Sequence, residues 1–215
     1  MLTRYASWLL IGLPFAIITG PALPDTIVSL LAIYFLFLSR KPTMWHYYQL
    51  PLVKVILLFW AYCIVRSLVS TNPIVSLEAS LFYGRFIFFS LAVAFLLNQR
   101  KQIFVLFSWS LLACLVIVTL DAYLQYTTGE NIFGWKKDEY RVSGFFGDEF
   151  VLGSFLSRLM PLVFFILASI PRLQSWMMFL GLFFLMAVDI LIYLAGERVA
   201  FFYLTLGTLL IIILI

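Results

Sequence analysis

The chain has 215 residues, of which 64% are hydrophobic, 19% aromatic and 11% charged, with a formal net charge of +4. Its mean hydropathy is +1.08, against the roughly 45–50% apolar and 25% charged residues of a soluble domain. These values exclude a soluble enzyme and a basic nucleic-acid binder, and point to an all-α polytopic membrane helix bundle.

About eight apolar segments follow in chain order. The first, Tyr5–Thr19, carries Arg4 ahead of it like a secretory leader, but no small-residue cleavage site interrupts it and comparable runs continue to the last residue, so it is read as a retained helix. The prolines and glycine of GPALPD separate it from Thr26–Ser39. Both runs are shorter than the roughly 20 residues that span hydrocarbon, so they read either as thin spanning helices or as a hairpin that dips in and returns. The connector SRKPTMWHYYQLP has the aromatic character of a headgroup boundary, which accounts for the lone His46.

Four further spans are expected at Leu52–Val69, Leu77–Leu97, Ile103–Tyr126 and about Phe145 to Ile170, then two at Trp176–Ala195 and Val199–Ile215. No tandem repeat or linker divides the chain, so residues 1–215 read as one transmembrane domain with an extramembrane loop over 127–143. Cys63 and Cys114 both fall in apolar runs and read as packing residues. With one histidine and no clustered thiols there is no ligand set for zinc or haem, and no GxxxxGK[ST] or GxGxxG motif for a nucleotide. No cofactor and no metal are expected.

Basic residues set the orientation. With a cytoplasmic N-terminus, Arg4, Arg40, Lys41, Lys54, Arg100, Lys101 and Arg172 gather on that face, while Lys136, Lys137, Arg141 and Arg198 lie on the far one. The acidic residues all fall on or near the far face, from Asp25 and Glu78 to Asp189 and Glu197. Arginine on that face runs against the topological trend and asks for an anionic partner, because a guanidinium grips phosphate oxygens in pairs and stays charged at any relevant pH. Arg141 and Arg198 together form a candidate diphosphate clamp; the alternative pairs Arg198 with Glu197 or Asp189, and Arg141 with Glu139 or Asp148.

Asp148 and Glu149 are expected to open the sixth span, where carboxylates favour the helix dipole. Gly144, Gly147 and Gly153 reduce bulk along the same entry, either for a lipid-linked headgroup or for helix packing, and Gly153 with Ser157 fits close helix approach. Arg158 is expected about 18 Å into that helix, near a break at Pro161. Arg85, beside Gly84, is either a ligand-binding residue or a member of a network with Arg66, Glu78 and Asp121. Trp135 in the long loop reads as an interface anchor or as a surface on which a sugar stacks.

RVSGFFGDEFVLGSFL after a far-side loop, followed two helices later by GERVAFFYL, resembles the O-antigen ligase and polymerase family of bacterial envelope enzymes. Arg141, Gly144, Phe146, Gly147, Glu149 and Gly153 match that family's first motif, and Gly196 and Arg198 its second. The resemblance implies a metal-independent glycosyltransferase of the inner membrane. It would move a glycan from undecaprenyl diphosphate to lipid A core or another acceptor on the periplasmic face, without nucleic acid and amid membrane lipids. It implies catalytic roles for Arg141 and Arg198, which would stabilise the departing diphosphate, while a base deprotonates the acceptor hydroxyl. The substrate-binding set read from the motif and the intramembrane charges is Gly144, Gly147, Glu149, Gly153, Arg85 and Arg158. The family also carries a later periplasmic loop with a functional histidine, which is absent here, so this chain is expected to be an N-terminal portion. Two other classes fit the composition: a transporter or flippase with Arg66, Arg85, Arg158 and Asp189 along a path, and a scaffold in which every charge is paired.

Overall fold

The computed structural model describes residues 2–99, 101–139, 141–168 and 175–214, and their side chains except those of 101, 164–168, 175–178 and 211–214. The connector around Arg172, and Arg100 in the orientation count, lie outside the described residues. All regular structure among them is helical: α1 Leu2–Ile17, α2 Ala22–Leu38, a short α3 Trp45–Gln49, α4 Pro51–Leu68, α5 Pro73–Gln99, α6 Lys101–Thr128, α7 Leu152–Ala168, α8 Ser175–Leu194 and α9 Arg198–Leu214. Three segments, Pro51–Leu68, Pro73–Gln99 and Gln102–Thr128, are long and apolar enough to cross a membrane by length and composition. That fits a membrane helix bundle; the other apolar stretches with described side chains, such as Leu2–Ile17 and Phe179–Leu194, run to 10–17 residues.

The chain forms two compact units, Met1–Phe107 and Ser108–Ile215. In the first, α1 and α2 form a hairpin turned at Gly20, whose φ of 110° suits a residue without a Cβ. Asp25 meets Arg85, and Tyr34 meets Phe95 at 6.5 Å between ring centroids. The paired numbers rise together, so α2 and α5 run in the same direction. Arg85 lies twelve residues after Pro73, roughly 18 Å along α5, so the α1–α2 turn sits beside the N-terminal half of α5 rather than at its start. Leu10, Leu31, Phe35, Ala92 and Leu96 fill the core. Tyr47 is also buried there, its ring edge-on to Phe35 at 5.9 Å, so part of the expected headgroup connector belongs to the core.

α4 returns antiparallel to α5, with Trp60 against Gly84 and its indole N–H donating to the Ser80 carbonyl at 2.7 Å. Ser67 of α4 and Ser80 of α5 tie the same two helices by a hydroxyl contact, and Ser70, in the turn after α4, donates to Ser76 of α5 at 2.8 Å. Small polar residues at a helix interface satisfy one another without water.

In the second unit, Tyr123 of α6 donates its hydroxyl to the Ala187 carbonyl of α8 at 2.6 Å. α7 packs on α9, where a Cβ on Gly207 would come within 2.8 Å of Pro161 Cγ. Pro161 lies inside α7 and does not end it. The sixth span begins at Leu152, not near Phe145, because Gly144 and Gly147 take φ of 56° and 58° around a 3-10 turn, a backbone that a right-handed helix excludes.

Candidate functional site

The site is built on the segment between α6 and α7. α6 ends at Gly129, whose φ is 87° and whose N–H returns to the Gln125 carbonyl at 3.0 Å, a glycine helix stop. Two buried amides then fold the loop. Asn131 Oδ1 accepts from the N–H of Phe133 at 3.0 Å and of Trp135 at 2.8 Å, while its Nδ2 donates to the Gly144 carbonyl at 3.0 Å. Gln125 Oε1 accepts from the N–H of Ser143 at 3.0 Å and Gly144 at 2.8 Å, and its Nε2 donates to the Trp135 carbonyl at 3.2 Å. An amide side chain suits this junction because it offers both donor and acceptor to a backbone withdrawn from water.

Asp121, one turn earlier on α6, accepts the Ile132 N–H through Oδ1 at 2.9 Å, and its Oδ2 is buried with no hydrogen-bond partner. A Cβ on Gly144 would stand 3.5 Å from that oxygen and 3.3 Å from Ala122 Cβ. Glycine at 144 is thus required by backbone conformation and by close approach to α6.

The two arginine motifs meet beyond this turn. A Cβ on Gly196 would lie 3.5 Å from Arg141 Nε and 3.6 Å from Arg141 Cγ, so the Arg141 side chain runs along the Gly196 backbone. Its guanidinium carbon sits 5.4 Å from the Phe150 ring centroid, a cation–π contact. Two residues after Gly196, Arg198 opens α9. A cation at the first residue of a helix adds to the positive end of the dipole, an arrangement that favours an anion there.

Glu197, between them, faces elsewhere. Its Oε1 accepts the Gly153 N–H at 2.8 Å, and its Oε2 accepts the Ser154 N–H at 2.9 Å and the Ser154 hydroxyl at 2.5 Å. The carboxylate from the start of α9 therefore caps α7. The expected cap by Asp148 or Glu149 is corrected: both are exposed in the turn before α7, and Glu149 returns its N–H to the Phe146 carbonyl at 3.0 Å. Gly153 is needed because a Cβ there would lie 3.1 Å from Glu197 Cβ.

The alternative pairings of the arginines also give way. Among the described residues no carboxylate lies within ion-pair distance of Arg141, Arg158 or Arg198, and the one ion pair joins Arg85 to Asp25. Arg85 donates to both Asp25 oxygens, at 2.9 and 2.6 Å, and lies over the rings of Phe82 and Phe86. Of the network expected among Arg66, Arg85, Glu78 and Asp121, the part that lies in the first unit shows no ion pair of Arg66 or Arg85 with Glu78 among the described residues. The register of α2 on α5 brings Asp25 to Arg85, whereas Glu78 lies seven residues back, roughly 10 Å along the helix.

Arg158 is exposed on α7, six residues after Leu152, about 9 Å into the helix rather than 18 Å. No hydrogen bond or ring contact among the described residues joins it to Arg141 or Arg198. Within this unit Arg141 meets Gly196 and Gly153 meets Glu197, while Gly144 lies against Asp121 and Ala122, Gly147 lies against Trp135, and Glu149 is exposed.

No family model, no curated protein and no solved structure matches the chain.

Sequence reading passed over Gln125, Asn131 and Glu197 as site-building residues. Asn131 had a local signal, since NIFG is an Asn turn followed by glycine. Gln125 and Glu197 act across 18 and 44 residues and had none. Neither Cys63 nor Cys114 is in a disulfide, and no cluster of three or more His, Cys, Asp or Glu able to hold a metal occurs among the described residues.

Proposed function

We propose that this protein is a membrane glycosyltransferase of the O-antigen ligase and polymerase type. It would bind a glycan carried on undecaprenyl diphosphate and transfer it to lipid A core or another acceptor at the periplasmic face of a bacterial inner membrane. The observation that carries the reading is the contact of Arg141 with Gly196, two residues from Arg198. It sets two guanidinium-bearing segments together while the one carboxylate between them, Glu197, is held by the amides of α7.

Two exposed arginines that have no carboxylate partner among the described residues, one of them at a helix N-terminus, suit a diphosphate. Each can present paired N–H donors to phosphate oxygens. In transfer, the acceptor hydroxyl gives its proton to a base as its oxygen bonds to the anomeric carbon of the first sugar, the bond from that carbon to the diphosphate oxygen breaks, and the electron pair leaves with the lipid diphosphate. The guanidinium groups meet the charge gathering there.

Against transport, Arg85 is neutralised by Asp25, and Arg66 and Arg158 occupy exposed helix faces. The test is binding of undecaprenyl diphosphate to the purified protein in nanodiscs. Arg141→Ala and Arg198→Ala should each weaken binding by roughly tenfold to a hundredfold, the value of a charge-assisted hydrogen-bonded contact. Lysine at either position should fall between, keeping charge without the fork. Wild-type binding by both alanine variants, correctly inserted, would remove the proposal.

A further inference from the structure

Trp135 takes no part in the arginine contact, yet the loop is arranged to hold its ring. Its backbone is fixed at both ends, the N–H by Asn131 and the carbonyl by Gln125 and by the Asn131 N–H. A Cβ on Gly147 would stand 3.2 Å from Trp135 Cε3, 3.3 Å from Cζ3 and 3.4 Å from Cδ2. Three adjacent ring atoms at nearly equal distance place the glycine over the face of the indole, since an edge-on approach would leave the neighbours of the nearest atom almost an ångström farther.

One face of the ring therefore rests on a glycine in a conformation, φ 58°, that excludes most side chains, while Trp135 as a whole remains 45% exposed. Phe133 stands tilted at 54° with its centroid 5.8 Å away, and is itself braced by Phe145 at 5.4 Å. The two residues after Gly147 are Asp148 and Glu149, both exposed and neither engaged in capping α7.

A rigid, half-exposed indole resting on a glycine that two exposed carboxylates follow in the chain suits a pyranose. The apolar C–H face of the sugar lies on the π surface, and its equatorial hydroxyls donate to the acids. The loop supplies little attraction for an anionic membrane surface by comparison: Glu130, Asp138, Glu139, Asp148 and Glu149 outnumber Lys136, Lys137 and Arg141.

We infer that Trp135, backed by Gly147, is a stacking platform for a sugar ring of the transferred glycan, with Asp148 and Glu149 as hydroxyl acceptors. This rests on the glycosyltransferase reading and gives the same loop its second task. Arg141 addresses the diphosphate, and the turn six residues on addresses the carbohydrate.

The test compares two probes in nanodiscs, undecaprenyl diphosphate with and without an attached disaccharide, on wild type and on Trp135→Phe, Trp135→Leu and Trp135→Ala. Leucine keeps apolar bulk but has no π face. Both Leu and Ala should weaken binding of the disaccharide-bearing lipid by about fivefold, the size of an aromatic stacking contact. Phe should retain most of the affinity, and binding of the bare lipid should stay unchanged throughout. Asp148→Asn with Glu149→Gln, which leaves the ring in place, should reproduce the selective loss.

Equal loss for both probes, or full affinity in the Leu variant with loss only in Ala, would assign Trp135 to loop integrity or membrane anchoring and overturn the platform. Failure of wild type to bind either probe would overturn the glycosyltransferase reading and the platform with it. Arg141-dependent binding without probe selectivity at Trp135 would remove the platform alone.

Discussion

Glu197→Ala tests the interhelical cap. The substitution leaves the N–H groups of Gly153 and Ser154 and the Ser154 hydroxyl without their acceptor, and removes a negative charge from the positive end of α7. Charge-assisted hydrogen bonds contribute about 1.5–3 kcal/mol each, and loss of an N-terminal cap alone costs about 0.5–2 kcal/mol. Partial access of water to the vacated amides reduces the sum, so about 2–4 kcal/mol is expected. At roughly 2–4 °C per kcal/mol for a chain of this size, the melting temperature in detergent should fall by about 5–15 °C. Glu197→Gln keeps one acceptor oxygen but turns an NH2 toward Ser154, and should lose about half as much.

Circular dichroism and thermal unfolding of purified variants measure the effect, with Arg198→Ala as the internal control. If Glu197 instead paired with Arg198, the two alanine variants would be similarly destabilised and their double mutant would be less than additive. With Glu197 on α7, Arg198→Ala should leave stability within about 0.5 kcal/mol of wild type, and the two effects should add. An unchanged melting temperature in Glu197→Ala, or strong coupling to Arg198, would refute the cap.

Two further outcomes follow from the same structure. Asp25→Ala should destabilise the first unit by about 1–3 kcal/mol by leaving Arg85 unpaired, and the exchange Asp25→Arg with Arg85→Asp should recover part of it; Glu78→Ala should have little effect on melting. Gln125→Leu removes the acceptor of two buried N–H groups, so hydrogen exchange should rise across residues 131–146 with helix content nearly intact; unchanged protection there would mean that Asn131 alone holds the loop.

Local sequence was sufficient for the all-helical character and for the three long apolar helices among the described residues. A run such as Ile103–Tyr126 is long enough at 1.5 Å per residue to cross hydrocarbon, and Gly129 stops a helix by its own conformational freedom, whatever surrounds it. The same logic made RVSGFFGDEF recognisable as the entry to a helix, though it put the start some seven residues early by letting Asp148 and Glu149 stand as the cap. Carboxylates near a helix start are a statistical preference, and the left-handed glycines at 144 and 147 follow from contacts with Ala122 and Trp135 that no local pattern records.

What only the tertiary structure decided is the partner of each charge. Asp25 and Arg85 are 60 residues apart and meet because of the register of α2 on α5. Glu197 lies beside Arg198 in sequence, but α9 packed on α7 aims its carboxylate at two amides across 44 residues. A side-chain ion pair exchanges water for one neighbour at modest gain, whereas an uncapped helix end inside a packed pair leaves donors with no partner at all. That difference, invisible in residue order, is what turns the carboxylate beside Arg198 away from it.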